Sequence, residues 1–180
     1  MIIVSAIGNE GPYQGTLNNP GDLINVIGVG SLDQALTNVA PYSSRGIATW
    51  SLLGGVGNMK PDVLTAGTKI AGVGIDNANS CTVNSGTSVS ASVISASIAL
   101  ALSSLKEEHR QYINTAMIKH AIIRSSKKLK NLSITEQGAG VFDLDKFISE
   151  LQNAATVRPT IYPNKIDLRG NNTYFLPFNR

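Results

Sequence analysis

One cysteine and one tryptophan occur in the whole chain of 180 residues, and charged side chains make up only 15% of it. The single Cys81 excludes an internal disulfide framework, so cysteine pairing carries no record of the redox compartment. A lone thiol with no histidine beside it is read as a small buried residue rather than a nucleophile. Scarce charge together with 42% apolar residues excludes a disordered segment and points to a folded body with one sizeable core. A net charge of +3 is too small to imply a nucleic-acid partner. The one basic cluster, Arg124, Lys127, Lys128 and Lys130, follows an amphipathic stretch, where cations face a helix C-terminus and water. No secretory leader is expected in this stretch either, since Met1 runs straight into Ile2, Ile3 and Val4. The long uncharged run from Asn77 to Leu105 is broken by Ser90, Ser92, Ser95, Ser97, Ser103 and Ser104, which argues against a membrane span. A soluble chain is the expectation.

What that uncharged run does contain is a polar tip, Val83-Asn84-Ser85-Gly86-Thr87-Ser88, followed by small and apolar residues. The pattern predicts a buried helix from about Thr87 to Leu105 whose first turn carries hydroxyls. Serine at that place feels the positive end of the helix dipole and several unpaired backbone N–H groups. Gly86 leaves room for another chain to approach the backbone. A nucleophilic serine whose transition state builds negative charge on oxygen needs these features, although a serine-rich N-cap on a core helix would show the same tripeptide.

The remaining organisation is alternating. Ile2 to Ile7 is a short β-branched run suited to a strand buried on both faces and ended by the turn Gly8-Asn9-Glu10-Gly11-Pro12. Leu23 to Gly30 predicts a second buried strand; Val63 to Thr65 and Lys69 to Gly74 predict short strands further on. Asn114 or Thr115 can cap a helix with the apolar stripe Met117, Ile118, Ala121 and Ile122. Gly138 to Val141 forms a turn into a short strand, and Asp143 opens a last helix to about Leu151. Prolines and asparagines gather after Thr156, so residues 1–155 are expected to form the main unit and 156–180 the start of a following module or linker. An α/β domain with a mostly parallel sheet follows, with chemistry at the carboxyl ends of strands and the helix N-termini beside them. Asn9 and Ser88 occupy such places. A chain opening on a central strand also suggests that an earlier portion of the fold lies outside it. Gly28 and Gly30 give a Gly-x-Gly with no third glycine, too little for a dinucleotide site.

Ser85-Gly86-Thr87-Ser88-Val89, preceded at a distance by Ala6-Ile7-Gly8-Asn9-Glu10-Gly11-Pro12, resembles the second half of a subtilisin-like serine protease (subtilase, peptidase family S8). Between and after them, Val26 to Gly30, Tyr42-Ser43-Ser44-Arg45-Gly46, Lys60-Pro61-Asp62-Val63 and Gly138 to Val141 match in order, so the resemblance covers roughly residues 2 to 155. It implies a partial three-layer fold whose central helix carries Ser88. By the same resemblance Ser88 is the nucleophile and Asn9 the oxyanion-hole side chain. Ala6, Ile7 and Gly8 form one wall of the substrate pocket, Gly86 and Thr87 also line the substrate site, and the Asn19–Pro20 bond is cis. Ser92, Ser95 and Ala96 depart from the family, which usually has proline, alanine and glycine there.

The family orders its triad as Asp, His, Ser, and no Asp precedes Asn9 here, while His109 and His120 follow the serine. The chain thus lacks two triad members and is expected to be inactive alone. A non-catalytic relic or binding module that kept half of the fold is the alternative. The resemblance implies polypeptide substrates. Gly15 to Pro20, Trp50, Gly54, Gly55, Met59 to Asp62 and Ile166-Asp167-Leu168 also resemble one branch of the family, which cuts membrane-anchored transcription-factor precursors in the endoplasmic reticulum and Golgi lumen. The missing N-terminal part of the catalytic domain would be a partner. No metal ligands are assigned; calcium, used by many relatives, stays open. Asn131-Leu132-Ser133 and Asn171-Asn172-Thr173 are glycosylation acceptors by pattern.

Overall fold

The computed structural model describes residues 1–48, 57–74 and 80–156. Trp50, Gly54, Gly55 and the tail with Ile166 to Leu168 and Asn171 to Thr173 lie outside the described residues. The strands are β1 (Val4–Ala6), β2 (Ile27–Leu32), β3 (Gly46–Ile47), β4 (Met59–Lys60), β5 (Val63–Ala66), β6 (Ile70–Val73) and β7 (Cys81–Asn84). The helices are α1 (Thr87–Ser104), α2 (Glu107–Arg110), α3 (Thr115–Ser125), α4 (Ile134–Gln137) and α5 (Leu144–Thr156).

A parallel sheet in the order β1-β2-β5 holds the molecule together. Side chains alternate across it, as a period of two requires. Ile27, Val29 and Val63 face a core shared with Ile94 and Ile98 of α1, Ile118 and Ile122 of α3, and Phe147 and Leu151 of α5. Leu32 and Leu64 face the other way, toward Val39, Leu129, Leu132 and Val141. Among the described residues α1, α3 and α5 thus share one core, and the second face is covered by loops and the single turn α4. The fold is mixed α/β with a parallel sheet, as expected.

Several elements fall where the residue pattern puts them. α1 starts at Thr87 and ends one residue short of Leu105. Asn114 caps α3, its side chain accepting the Met117 N–H. The Asn19–Pro20 bond is cis, as the family resemblance rather than the residue pattern implies. Other elements differ. β2 runs Ile27–Leu32 rather than Leu23–Gly30, because Pro20 and Gly21 begin turns closed by Leu23 N–H on Pro20 O and Val26 N–H on Leu23 O. Pairing with β1 begins at Ile27 and pairing with β5 extends to Leu32. Cys81 was expected to be buried; it is exposed, because β6 and β7 form an antiparallel ribbon standing clear of the core. α1 is buried on one face only, through Thr87, Ser90, Ile94, Ser97, Ile98 and Ala101, while Ser88, Ser92, Ser95, Ala99 and Leu100 are exposed. By length and composition α1 could cross a membrane, but in this fold it is the helix packed on the sheet.

A buried polar knot beneath β2 orients the sheet against α3. Asp62 Oδ2 accepts the Gly28 N–H at 2.8 Å and the Lys60 ammonium at 2.6 Å, and Lys119 of α3 reaches Oδ1 at 2.9 Å. Lys60, fully buried, also donates to Val26 O at 2.8 Å, and Lys119 shares that carbonyl at 3.1 Å. Burial pushes the Lys60 amine down from 10.5 to about 8, with Asp62 opposing and Lys119 adding to the fall.

The two members of this knot should respond differently to substitution. Asp62→Ala strands two ammonium groups and should cost about 3–5 kcal/mol in urea unfolding. Lys60→Met leaves Asp62 with Lys119 and Gly28, so it should be tolerated. The folded-state pKa of Lys60 is lowered, so the folded chain binds fewer protons between pH 8 and 10.5. Its contribution is therefore present above pH 10.5 and lost as pH falls through about 8. Wild type should gain about 3 kcal/mol relative to Lys60→Met across that window.

Candidate active site

The carboxyl end of β1 and the N-terminus of α1 meet at one exposed point. Ile7 continues β1 by donating to Val29 O at 3.1 Å, and Gly8 then turns the chain with φ of 117°, a left-handed conformation that favours glycine. Asn9 follows and is exposed. Coming from the other side, β7 leads through Ser85 and Gly86 into α1, with the Gly86 N–H on Gly67 O at 2.9 Å.

Thr87 ties the two ends together. Its backbone N–H donates to Asn9 Oδ1 at 2.9 Å. Its hydroxyl accepts the Gly8 N–H at 3.3 Å and has one proton to give, with Asn9 Oδ1 at 3.1 Å and Gly8 O at 3.2 Å in reach. Because a backbone N–H can only donate, the carboxamide oxygen must face Thr87, which turns Asn9 Nδ2 the other way. Among the described residues nothing accepts from that nitrogen.

Ser88, the next residue, is exposed, and neither its N–H nor its Oγ has a partner among the described residues. A Cβ placed on Gly86 would lie 3.2 Å from Ser88 Oγ and 3.5 Å from Asn9 Nδ2. The hydroxyl and the amide nitrogen are therefore no farther apart than the sum of these distances, beside a buried glycine that has no side chain to come between them. α1 has no acidic residue in its first turn to offset its dipole. One small exposed space thus faces a hydroxyl, a side-chain amide donor and a free main-chain N–H at a helix N-terminus. Such a space can hold a carbonyl carbon near the hydroxyl and its oxygen near the donors.

The other expected site residues are arranged around it. Ala6 is half-buried at the end of β1. Ile7 and Thr87 are fully buried, so whatever they lend to a groove comes from the main chain. The Ile7 side chain packs against Gly21 and Gly28. Ser92, standing where the resembled family usually has proline, donates its hydroxyl to Ser88 O, one turn back in the helix, at 3.0 Å. His109 lies in α2, beyond the far end of α1, and about 24 Å of helix separates Ser88 from that end. His120 is exposed on α3. Among the described residues no three His, Cys, Asp or Glu side chains are grouped to hold a metal ion.

Two features were not anticipated from the residues alone. Thr87 serves as the tether, and Glu10 lies in a hydrogen-bonded group with Ser44 and Asn18. The signal for the second was present in the Tyr42-Ser43-Ser44-Arg45-Gly46 motif, which composition and periodicity leave without a role.

A family model described as "Subtilase family" matches residues 1–140. The human protein named "Membrane-bound transcription factor site-1 protease" is 42% identical over 168 residues, covering 93% of this chain and 15% of that protein. "Subtilisin-like protease SBT6.1" of Arabidopsis thaliana is 40% identical over 181 residues, covering 100% of this chain and 17% of that protein. The chain thus spans less than a fifth of the length of these relatives. Among solved structures, "Structure of Prenylagaramide maturation protease PagA" superposes with a TM-score of 0.65 at 22% identity, covering 83% of this chain and 50% of that one. "Structure of the Clostridium Perfringens CspB protease" gives 0.66 at 24% identity, covering 78% of this chain and 30% of that one. At those identities the likeness is one of fold.

Thr87→Val keeps the shape of the tether and removes its hydroxyl, leaving the buried Gly8 N–H without its acceptor. Urea unfolding should show a loss of about 1–3 kcal/mol.

Proposed function

Since the chain belongs to the subtilase family, we propose that it carries the nucleophile and oxyanion half of a serine endopeptidase site. One observation supports this reading above the others. Asn9 Nδ2, Ser88 Oγ and the Ser88 N–H border one exposed space beside Gly86, although Asn9 and Ser88 are distant in sequence. Ser88 Oγ attacks the scissile carbonyl to form a tetrahedral intermediate, which collapses to an acyl-enzyme as the C–N bond breaks and the amine leaves with the proton that Ser88 gave up to the base. Asn9 Nδ2 and the Ser88 N–H receive the oxyanion. Ala6 and Gly8, backed by Ile7, form one wall of the pocket for the residue before the cut, and Gly86 and Thr87 border the substrate through their main chain.

The proton on Ser88 needs a base within hydrogen-bond reach. The two histidines of the chain stand after the serine, on α2 and α3, and do not serve. The base and its orienting Asp come from a segment outside these 180 residues, and the chain alone is inactive or nearly so, keeping only binding and oxyanion stabilisation. Its substrates are polypeptides. The name of the human relative points to membrane-bound transcription factors as substrates, and the family resemblance to cleavage in the lumen of the endoplasmic reticulum or Golgi. Residues 1–155 form the second part of the catalytic domain, and 156–180 lead into the next module.

A fluorophosphonate probe tests this. The chain alone should not be labelled. Combined with the preceding part of a catalytic domain from its own gene, it should be labelled at Ser88, and Ser88→Ala should abolish the label. Labelling of the isolated chain at Ser88 would show that a base is already in place. No labelling of the combined form would favour a relic that kept half of the fold. In the active form, Asn9→Ala should lower kcat about 10²–10³-fold with KM little changed, a magnitude known from a subtilisin rather than derived from this geometry.

A further inference from the structure

We propose that Ser44 is a positioning residue that aims the Asn9 carboxamide; this rests on the reading of Asn9 as oxyanion donor and names what holds it. Thr87 fixes the carboxamide oxygen and holds Gly8 before it, but makes no bond to Glu10, the residue after Asn9. Ser44 grips the residue on each side. Its N–H donates to Gly8 O at 3.0 Å, and its Oγ accepts the Glu10 N–H at 3.1 Å. The same hydroxyl gives its proton to Glu10 Oε2 at 3.0 Å, so both of its capacities are in use. Asn18 Nδ2 donates to that carboxylate oxygen at 3.0 Å. The Ser44 hydroxyl is the main cause that holds the Glu10 carboxyl below its ordinary range, with smaller help from Asn18 and the Asn9 and Glu10 main chain.

The grip has a rigid root. Ser44 is fully buried, and its neighbours on both sides are fixed. Ser43 Oγ accepts the Ser31 N–H of β2 at 3.1 Å. The Arg45 guanidinium donates to Ser43 O at 3.2 Å, to Ala40 O at 3.1 Å and to Glu136 of α4 at 2.9 Å. Gly8 makes the approach possible: a Cβ there would sit 2.6 Å from both Ser44 Oγ and Glu10 Oε2. One side of Asn9 is therefore anchored to the sheet through Ser44 and the other to α1 through Thr87. Alanine at position 44 keeps the first bond, from its N–H, and loses both bonds of the hydroxyl.

The test reads the Asn9 side-chain NH2 by 15N relaxation in the 180-residue chain, comparing wild type with Ser44→Ala. In wild type the order parameter should lie near the rigid value of about 0.85, and in Ser44→Ala it should fall below about 0.6. The Val29 and Leu64 amides of the sheet should keep their order, which separates loss of aim from loss of fold. Should Ser44→Ala fail to fold, Ser44→Cys, a weaker hydrogen-bonding partner, is read the same way. An unchanged Asn9 side chain in a folded variant, or loosening spread equally over the sheet, overturns the proposal. The readout needs no turnover, so a chain that cleaves no peptide still tests it, and a negative result leaves the role of Asn9 itself standing.

Discussion

The hydrogen bond from the Thr87 N–H to Asn9 Oδ1 is the constraint on which the rest of the arrangement depends. It joins the end of β1 to the start of α1 across 78 residues of sequence. It also settles which end of the carboxamide faces the open space. Without it the amide could present its oxygen, an acceptor, to the same space that the Ser88 N–H borders. An acceptor there would repel a developing oxyanion; a donor stabilises it. The orientation of one amide thus divides a site that binds negative charge from one that rejects it.

Holding that amide in place takes the scaffold on both sides. A parallel sheet brings the carboxyl end of β1 to the side where α1 begins, and the shared core of Ile27, Val29, Val63, Ile94 and Ile98 keeps sheet and helix in register. Apolar packing of this kind sets distances between elements but not the direction of polar side chains. Direction comes from buried polar groups: Asp62 with its two lysines under β2, and Arg45 with Glu136 behind Ser44. Such groups add little net stability for their desolvation. Their return is that loops 7–11 and 40–46 hang from fixed points. No buried side-chain nitrogen or oxygen among the described residues is left without a partner, so the polar frame is complete.

How much of this could be seen in the residues follows from the same division. Features with strong local causes were legible: the start of α1 at Thr87, the Asn114 cap and the turn after Ile7; attention to Asn9 and Ser88 together came from the family resemblance, not from a local cause. Features set by partners distant in the chain were not. β2 slid toward its C-terminus because pairing with β1 and β5, rather than its own apolar run, sets its limits. The one-sided burial of α1 was hidden because small residues surround the helix and blur its periodicity. Cys81 lies on an exposed ribbon that nothing in its own segment marks. The Thr87 tether and the Ser44 clamp depend on contacts 78 and 34 residues apart, which a reading along the chain does not reach.

The chain matches known proteases over nearly its whole length yet spans a small fraction of the longer relatives. Its geometry accordingly bears on the nucleophile and oxyanion roles proposed for Ser88 and Asn9 rather than on proton transfer or full specificity. The central claim is that Asn9 Nδ2 and the Ser88 N–H converge on one oxygen. The most direct measurement is a crystal structure of the combined catalytic form after reaction with a peptidyl phosphonate. The account predicts the phosphoryl oxygen at about 2.7–3.1 Å from both nitrogens, with phosphorus bonded to Ser88 Oγ. A phosphoryl oxygen turned away from either donor, or an adduct on another residue, would contradict it.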